Sequence, residues 1–341
     1  MAPDQQQREQ IRIDNPPFID RSSLEKDWND GHSITVQFSR PVYTDEILRE
    51  LDELCAKLDD RLTVRFYGHY SSSFDFRTLL LIPRVKSLYL DCLAEVSHTE
   101  ELARLEHLYR LNLNVYELED PEILRSDNLR SLGELGVHSE KKTINVEYLK
   151  EFRELHTLHA GGKVKNADAI GYVAELETLS LNLGGRIPLD FVNRLGRLKR
   201  LILLGGGREN LDEIGEIGIE YLRIDRVVGF SSFANLGNFK ALRELRIEDQ
   251  PRLTELHFDA LLERLEDIMI VNCKTLSSFT GLENLPSLRK LVLFKMAVDF
   301  ETFIQQRRPE TLSFFTFATG KAKVDREIQR TLDELGYPLP D

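Results

Sequence analysis

"RLKRLILLGGGREN", residues 197–210, runs from an apolar stretch into three glycines and then a polar stretch. A strand, a glycine loop and a helix start can together cradle a phosphate on backbone amides. The phosphate-loop pattern needs Gly-Lys-Ser/Thr after four intervening residues, and none is present. The dinucleotide pattern needs a third glycine where Asn210 stands. Gly205–Gly207 are therefore expected to serve a turn. The residues before them say more: Leu198, Leu201 and Leu203 spell L-x-x-L-x-L.

The same pattern starts again at Val85, Leu108, Leu132, Leu155, Leu176, Ile219, Leu242, Leu265, Leu288 and Leu312. Its fourth position falls at residues 88, 111, 135, 158, 179, 201, 222, 245, 268, 291 and 315, with spacings of 21 to 24 residues. Two weaker strand patterns, 34–38 and 62–66, precede the series. Period and pattern together resemble the leucine-rich repeat family, in its irregular intracellular form with repeats of 21–24 residues. The resemblance is close over 85–319 and loose from 34. It departs from the family at the ninth position, where asparagine or cysteine ties down the turn: Cys273 matches, while Tyr116, Glu140, Lys163, Gly184 and Gly206 do not.

The resemblance implies an α/β leucine-rich repeat solenoid, a single curved horseshoe with a parallel sheet on its concave face. Each unit supplies one strand and one return segment, and stacking buries what neither can bury alone. Leu102, Leu124, Leu149, Phe191, Leu211, Phe233, Leu253, Phe279 and Phe303 are expected to wall the core on the return side. The organisation expected is a disordered tail over 1–17, a capping region with irregular repeats over 18–84, repeats over 85–319 and a capping helix within 320–341. In the first cap, 45–58 carries apolar residues at helical spacing behind Thr44 as N-cap. In the second, Val324, Ile328, Leu332 and Leu335 form a stripe that Gly336 and Pro338 end.

Composition narrows the function. The 341 residues are 41% apolar and 30% charged, with 57 acidic and 45 basic side chains giving a net charge of −12. An acidic chain without a basic arm argues against nucleic acid and anionic lipid as partners. No apolar run reaches membrane-helix length and the first 17 residues lack a signal core, so a cytoplasmic protein is expected. Cys55, Cys92 and Cys273 read as free thiols.

No catalytic, cofactor or metal motif stands out. His138 and His159 fall on adjacent strands at offset positions, roughly 8 Å apart by strand geometry, without an evident third ligand. Cys92 has no base placed beside it.

Positions three, five and seven of each unit should face away from the core. In the later units these are Tyr221, Arg223 and Asp225; Glu244, Arg246 and Glu248; Asp267, Met269 and Val271; Lys290, Val292 and Phe294; and Phe314, Thr316 and Ala318. Met269, Val271, Val292, Phe294 and Phe314 put apolar groups where solvent is expected, contiguous across strands and rimmed by charge, as partner sites are. Tyr221, Arg223 and Arg246 add residue types favoured as anchors. Two alternatives stand beside this: the C-terminal helix covers the apolar group, and the charged block is a ladder of Arg–Glu pairs. The function expected is non-enzymatic binding of a protein partner through the concave face, without cofactor. The alternatives are an immunity-type or regulatory inhibitor of one cognate enzyme or toxin, and an enzyme with an unrecognised site around His138, His159 and Cys92. The sequence leaves oligomeric state open.

Overall fold

The structure, a computed structural model, describes residues 9–69 and 73–338. The chain forms two compact units, Met1–Glu175 and Leu176–Asp341, each described in turn.

In the first unit the strands are β1 (Gln10–Asp14), β2 (Ser33–Phe38), β3 (Leu62–Tyr67), β4 (Phe74–Asp75), β5 (Ser87–Ser97), β6 (Arg110–Glu117), β7 (Glu134–Asn145) and β8 (Thr157–Lys165). They pair in parallel in the order β1-β2-β3-β5-β6-β7-β8, with β4 joining the far end of β5. Register follows the apolar pattern. Val36 meets Val64, Val64 meets Leu88, and Leu88, Leu111, Leu135 and Leu158 continue the row. A one-residue slip would turn this row out to solvent, so burial itself fixes the pairing.

Strand β1 lies within the span expected to be disordered; residues 1–8 of that span lie outside the described residues. Its alternating Ile11 and Ile13 sit against Ile34 and Val36, which gives five residues enough reason to extend. Helix α1 (Arg21–Asn29) follows, capped by Asp20, whose carboxylate accepts from the Ser23 amide at 3.1 Å. Helix α2 (Asp45–Lys57) starts where Thr44 accepts from the Ile47 amide at 3.3 Å, with Asp45 and Glu46 in its first turn.

The second unit contains β9 (Thr178–Leu183), β10 (Arg200–Leu204), β11 (Tyr221–Asp225), β12 (Glu244–Glu248), β13 (Glu255–His257), β14 (Asp267–Val271), β15 (Ser278–Thr280), β16 (Lys290–Phe294) and β17 (Phe314–Ala318). The main sheet runs β9-β10-β11-β12-β14-β16-β17, all parallel, while β13 and β15 pair on the return side. Leu179, Leu201, Leu222, Leu245, Ile268, Leu291 and Phe315 form one buried row. The return-side residues named from sequence are buried in both units. Phe258, Phe279, Phe303 and Phe315 stack edge to face or tilted at 5.6 to 5.8 Å between ring centres.

Six repeats share a left-handed eighth position, with φ of 52° to 63° at Cys92, Gly205, Arg226, Asp249, Asn272 and Lys295. Cys92 bulges within β5, and the other five form a shared turn at or just past a strand end. Gly206 is also left-handed, and a Cβ there would stand 2.8 Å from the Leu183 carbonyl oxygen. Two of the three amides that a phosphate would need are taken: Gly205 donates to the Asp225 carbonyl at 2.8 Å and Gly207 to the Gly185 carbonyl at 3.1 Å. The cavity beside them measures about 30 Å³, the space of roughly one water.

The ninth position is served without asparagine. Gln250 Nε2 donates to the Glu248 carbonyl at 2.7 Å and to the Ile224 carbonyl of the preceding strand at 3.4 Å. Cys273 Sγ approaches Val271 and Ile247 in the same way, at 3.6 and 3.9 Å.

Helix α3 (Phe300–Phe303) precedes β17, and helix α4 (Ala322–Glu334) ends the unit. Helix α4 packs on β17 through Ile328 and Leu332, and the Tyr337 ring meets that of Phe315 at 5.7 Å. Val324 and Leu335, the outer members of the stripe read from sequence, stay 39% and 45% exposed.

Candidate partner-binding face

The parallel register of the second unit lines up its solvent-side residues in rows. One row is Arg200, Tyr221, Glu244, Asp267, Lys290 and Phe314. The next is Ile202, Arg223, Arg246, Met269, Val292 and Thr316, and the third is Leu204, Asp225, Glu248, Val271, Phe294 and Ala318. Met269, Val271, Val292 and Phe294 are therefore mutual neighbours on β14 and β16, and Phe314, Thr316 and Ala318 adjoin them on β17. Each of these apolar side chains is half-buried. Lys295 Nζ lies 4.7 Å from the centre of the Phe294 ring, in cation–π range.

The charged residues read from sequence are held among themselves. Arg223 reaches Asp225 at 2.9 Å and Glu248 at 3.3 Å. Arg246 reaches Glu244 at 2.5 Å, and Lys290 reaches Asp267 at 3.1 Å. Tyr221 is 7% exposed, because the Arg200 guanidinium lies 3.8 Å above its ring and Arg246 5.9 Å away. Sequence reading identified the outward positions but missed Arg200 and Lys295 as cover, since repeat position does not encode a long side chain's rotamer.

Helix α4 packs on β17, and Tyr337 beyond its end lays its ring against the inward Phe315. The apolar surface is flanked by charged side chains that already hold opposite charges, although Arg223 Nε and Asp267 Oδ1 are buried without a hydrogen-bond partner.

The first unit holds a different feature: a polar cleft of about 710 Å³ lined by Gln10, Thr35, Asp59, Arg61, Tyr89 and Arg110 among others. Its cations are engaged, Arg61 with Asp59 at 3.1 Å and Arg110 with Glu134 at 2.6 Å and Asp60 at 3.3 Å. Sequence reading missed this cleft because most of its residues lie within the span from β1 to β3, ahead of the regular repeats.

Of the residues weighed for catalysis, His138 and His159 lie on the paired strands β7 and β8, and Cys92 on β5. His138 Nε2 is 2.9 Å from Glu140 Oε1, and burial holds the His159 imidazole below its usual range. Burial, with a hydrogen bond to Asp91, pushes the Cys92 thiol up, so it stays protonated and a poor nucleophile at neutral pH. Burial drives Cys55 to about 12 and Cys273 to about 11. Among the described residues no group of three His, Cys, Asp or Glu could hold a metal ion, and no helix is long and apolar enough to cross a membrane.

No family model and no curated protein matches the chain. Among solved structures, it resembles internalin F from Listeria monocytogenes, at 15% identity over 73% of this chain and 88% of that one, with a TM-score of 0.45. It also resembles a leucine-rich repeat protein from Leptospira interrogans, at 14% identity over 86% and 91% with a TM-score of 0.41. A third is TLR13, solved in complex with ssRNA13, at 14% identity over 90% and 54% with a TM-score of 0.46. The buried leucine rows, the parallel strands and the shared turn give this chain the leucine-rich repeat fold.

Proposed function

We propose that the chain is a non-enzymatic protein-binding module that takes a protein partner on the solvent side of β11–β17. The observation that carries this is the contiguous half-buried group of Met269, Val271, Val292 and Phe294 on neighbouring strands, with Ala318 opposite Phe294 and Phe314 diagonal to Val292 on β17. An apolar surface of this kind on a rigid sheet marks an interaction site. Arg246 borders it beside Met269, with Arg223 and the covered ring of Tyr221 one strand further out, each held by its own partners before binding. Such preorganisation lowers the entropy lost on association. The free thiols Cys55, Cys92 and Cys273 agree with a reducing, cytoplasmic setting.

The test is affinity capture from lysate of the source organism, wild type beside Met269→Asp/Phe294→Asp, read by mass spectrometry. A protein held by the wild type and lost by the variant is the expected result. Each substitution should cost about 1 kcal/mol of stability or less, so thermal melting should show the variant folded. Retention of the same proteins by a folded variant would place the site elsewhere.

A further inference from the structure

The strand β1 ends the sheet of the first unit: among the described residues it pairs with β2 alone. Glu9 and Asn15 direct backbone groups toward β2, accepting from Ser33 at 3.2 Å and donating to Gln37 at 2.8 Å. By strand alternation, Gln10, Arg12 and Asp14 turn their amides and carbonyls away from β2. Ile11 and Ile13, which point to the core, remain only half-buried, and Phe18 is 67% exposed. An edge with unpaired amides over an incompletely covered core is a template for another strand.

We propose that this edge pairs with the same edge of a second copy, antiparallel about a twofold axis. One register satisfies both backbone and charge. With Ile13 opposite Ile13, residue 12 of each copy faces residue 14 of the other. Both residues carry outward-facing backbone groups, so these are the hydrogen-bonded pairs of the ladder. Each such pair sets an Arg12 beside an Asp14, twice by symmetry. Among the described residues Arg12 forms no ion pair, its side chain donating only to Gln10 at 3.2 Å. Asp14 accepts from Gln37 and Tyr67 through Oδ1, which leaves Oδ2 for the guanidinium. The two isoleucines meet at a non-hydrogen-bonded pair, where side chains approach most closely, and cover each other's exposed flank. Shifting the register by two residues sets Arg12 against Arg12, and like charges directly opposite are unfavourable. The strand is thus self-complementary in one register.

Sedimentation of the full chain from about 1 to about 100 μM tests this. The wild type should shift from monomer toward dimer across the range. Arg12→Asp places four carboxylates at the junction and Asp14→Arg places four guanidiniums there, so each variant alone should dissociate at least tenfold more readily. Mixed in equal amounts, the two should form a heterodimer, because each pair again unites opposite charges. A monomeric wild type at every concentration would overturn the proposal. So would single variants that dimerise like the wild type, or a mixture of folded variants that stays monomeric.

Discussion

Leu201 is fully buried between Leu179 and Leu222, at the fourth position of its repeat. Leu201→Ala should lower the free energy of unfolding by roughly 2–5 kcal/mol, measured by denaturant titration. Unchanged stability would refute the register. His69 tests a different balance. It is 3% exposed, lies beside Tyr43 and Phe74, and its Nε2 has no hydrogen-bond partner. Burial holds its imidazole below the ordinary 6.5. The unfolded chain therefore binds more protons than the folded one just below that pH, and stability falls as pH drops through about 6.5, levelling below the folded value. His69→Phe keeps an aromatic ring there and removes the titration. Its melting temperature should fall less than the wild type's between pH 7 and about pH 5.5, and equal falls would reject the assignment. Leucine positions such as 201 were legible because every repeat restates them. His69 was not, because nothing in a periodic pattern marks which polar side chain an irregular region encloses.

At the scale of elements, strands longer than the repeat consensus and the short β1 show the limit of periodicity. Five residues with two isoleucines read as part of a tail, and only the row Ile34 and Val36 provides makes them a strand. Helix α4 was legible from its stripe, but only Ile328 and Leu332 of that stripe found a surface, the one β17 offers. Leu332→Ala should cost about 2–4 kcal/mol. Hydrogen exchange should quicken first at the amides of β17, because an end repeat has a neighbour on one side only. Loss of protection spread evenly from β9 to β17 would show that the helix is no local cap. The candidate face divides in the same way. Repeat position put Met269, Val271, Val292 and Phe294 side by side, whereas the cover over Tyr221 depended on the reach of Arg200.

For the molecule as a whole, fold was readable in outline because eleven units agree with one another, and function was not, because a repeat scaffold does not specify its occupant. The uniform spacing within the second unit also governs how that unit acquires its structure. Each strand from β9 to β17 in the main sheet finds its neighbour after 21 to 24 residues. The entropy of closing those loops differs by only about 0.1 kcal/mol between the shortest and the longest. Connectivity therefore gives no strand pair a head start in folding. The first pair to form is chosen by the strength of its own apolar contacts, and the phenylalanine-rich end of the unit, from Phe258 to Phe317, is the natural place for assembly to begin and spread.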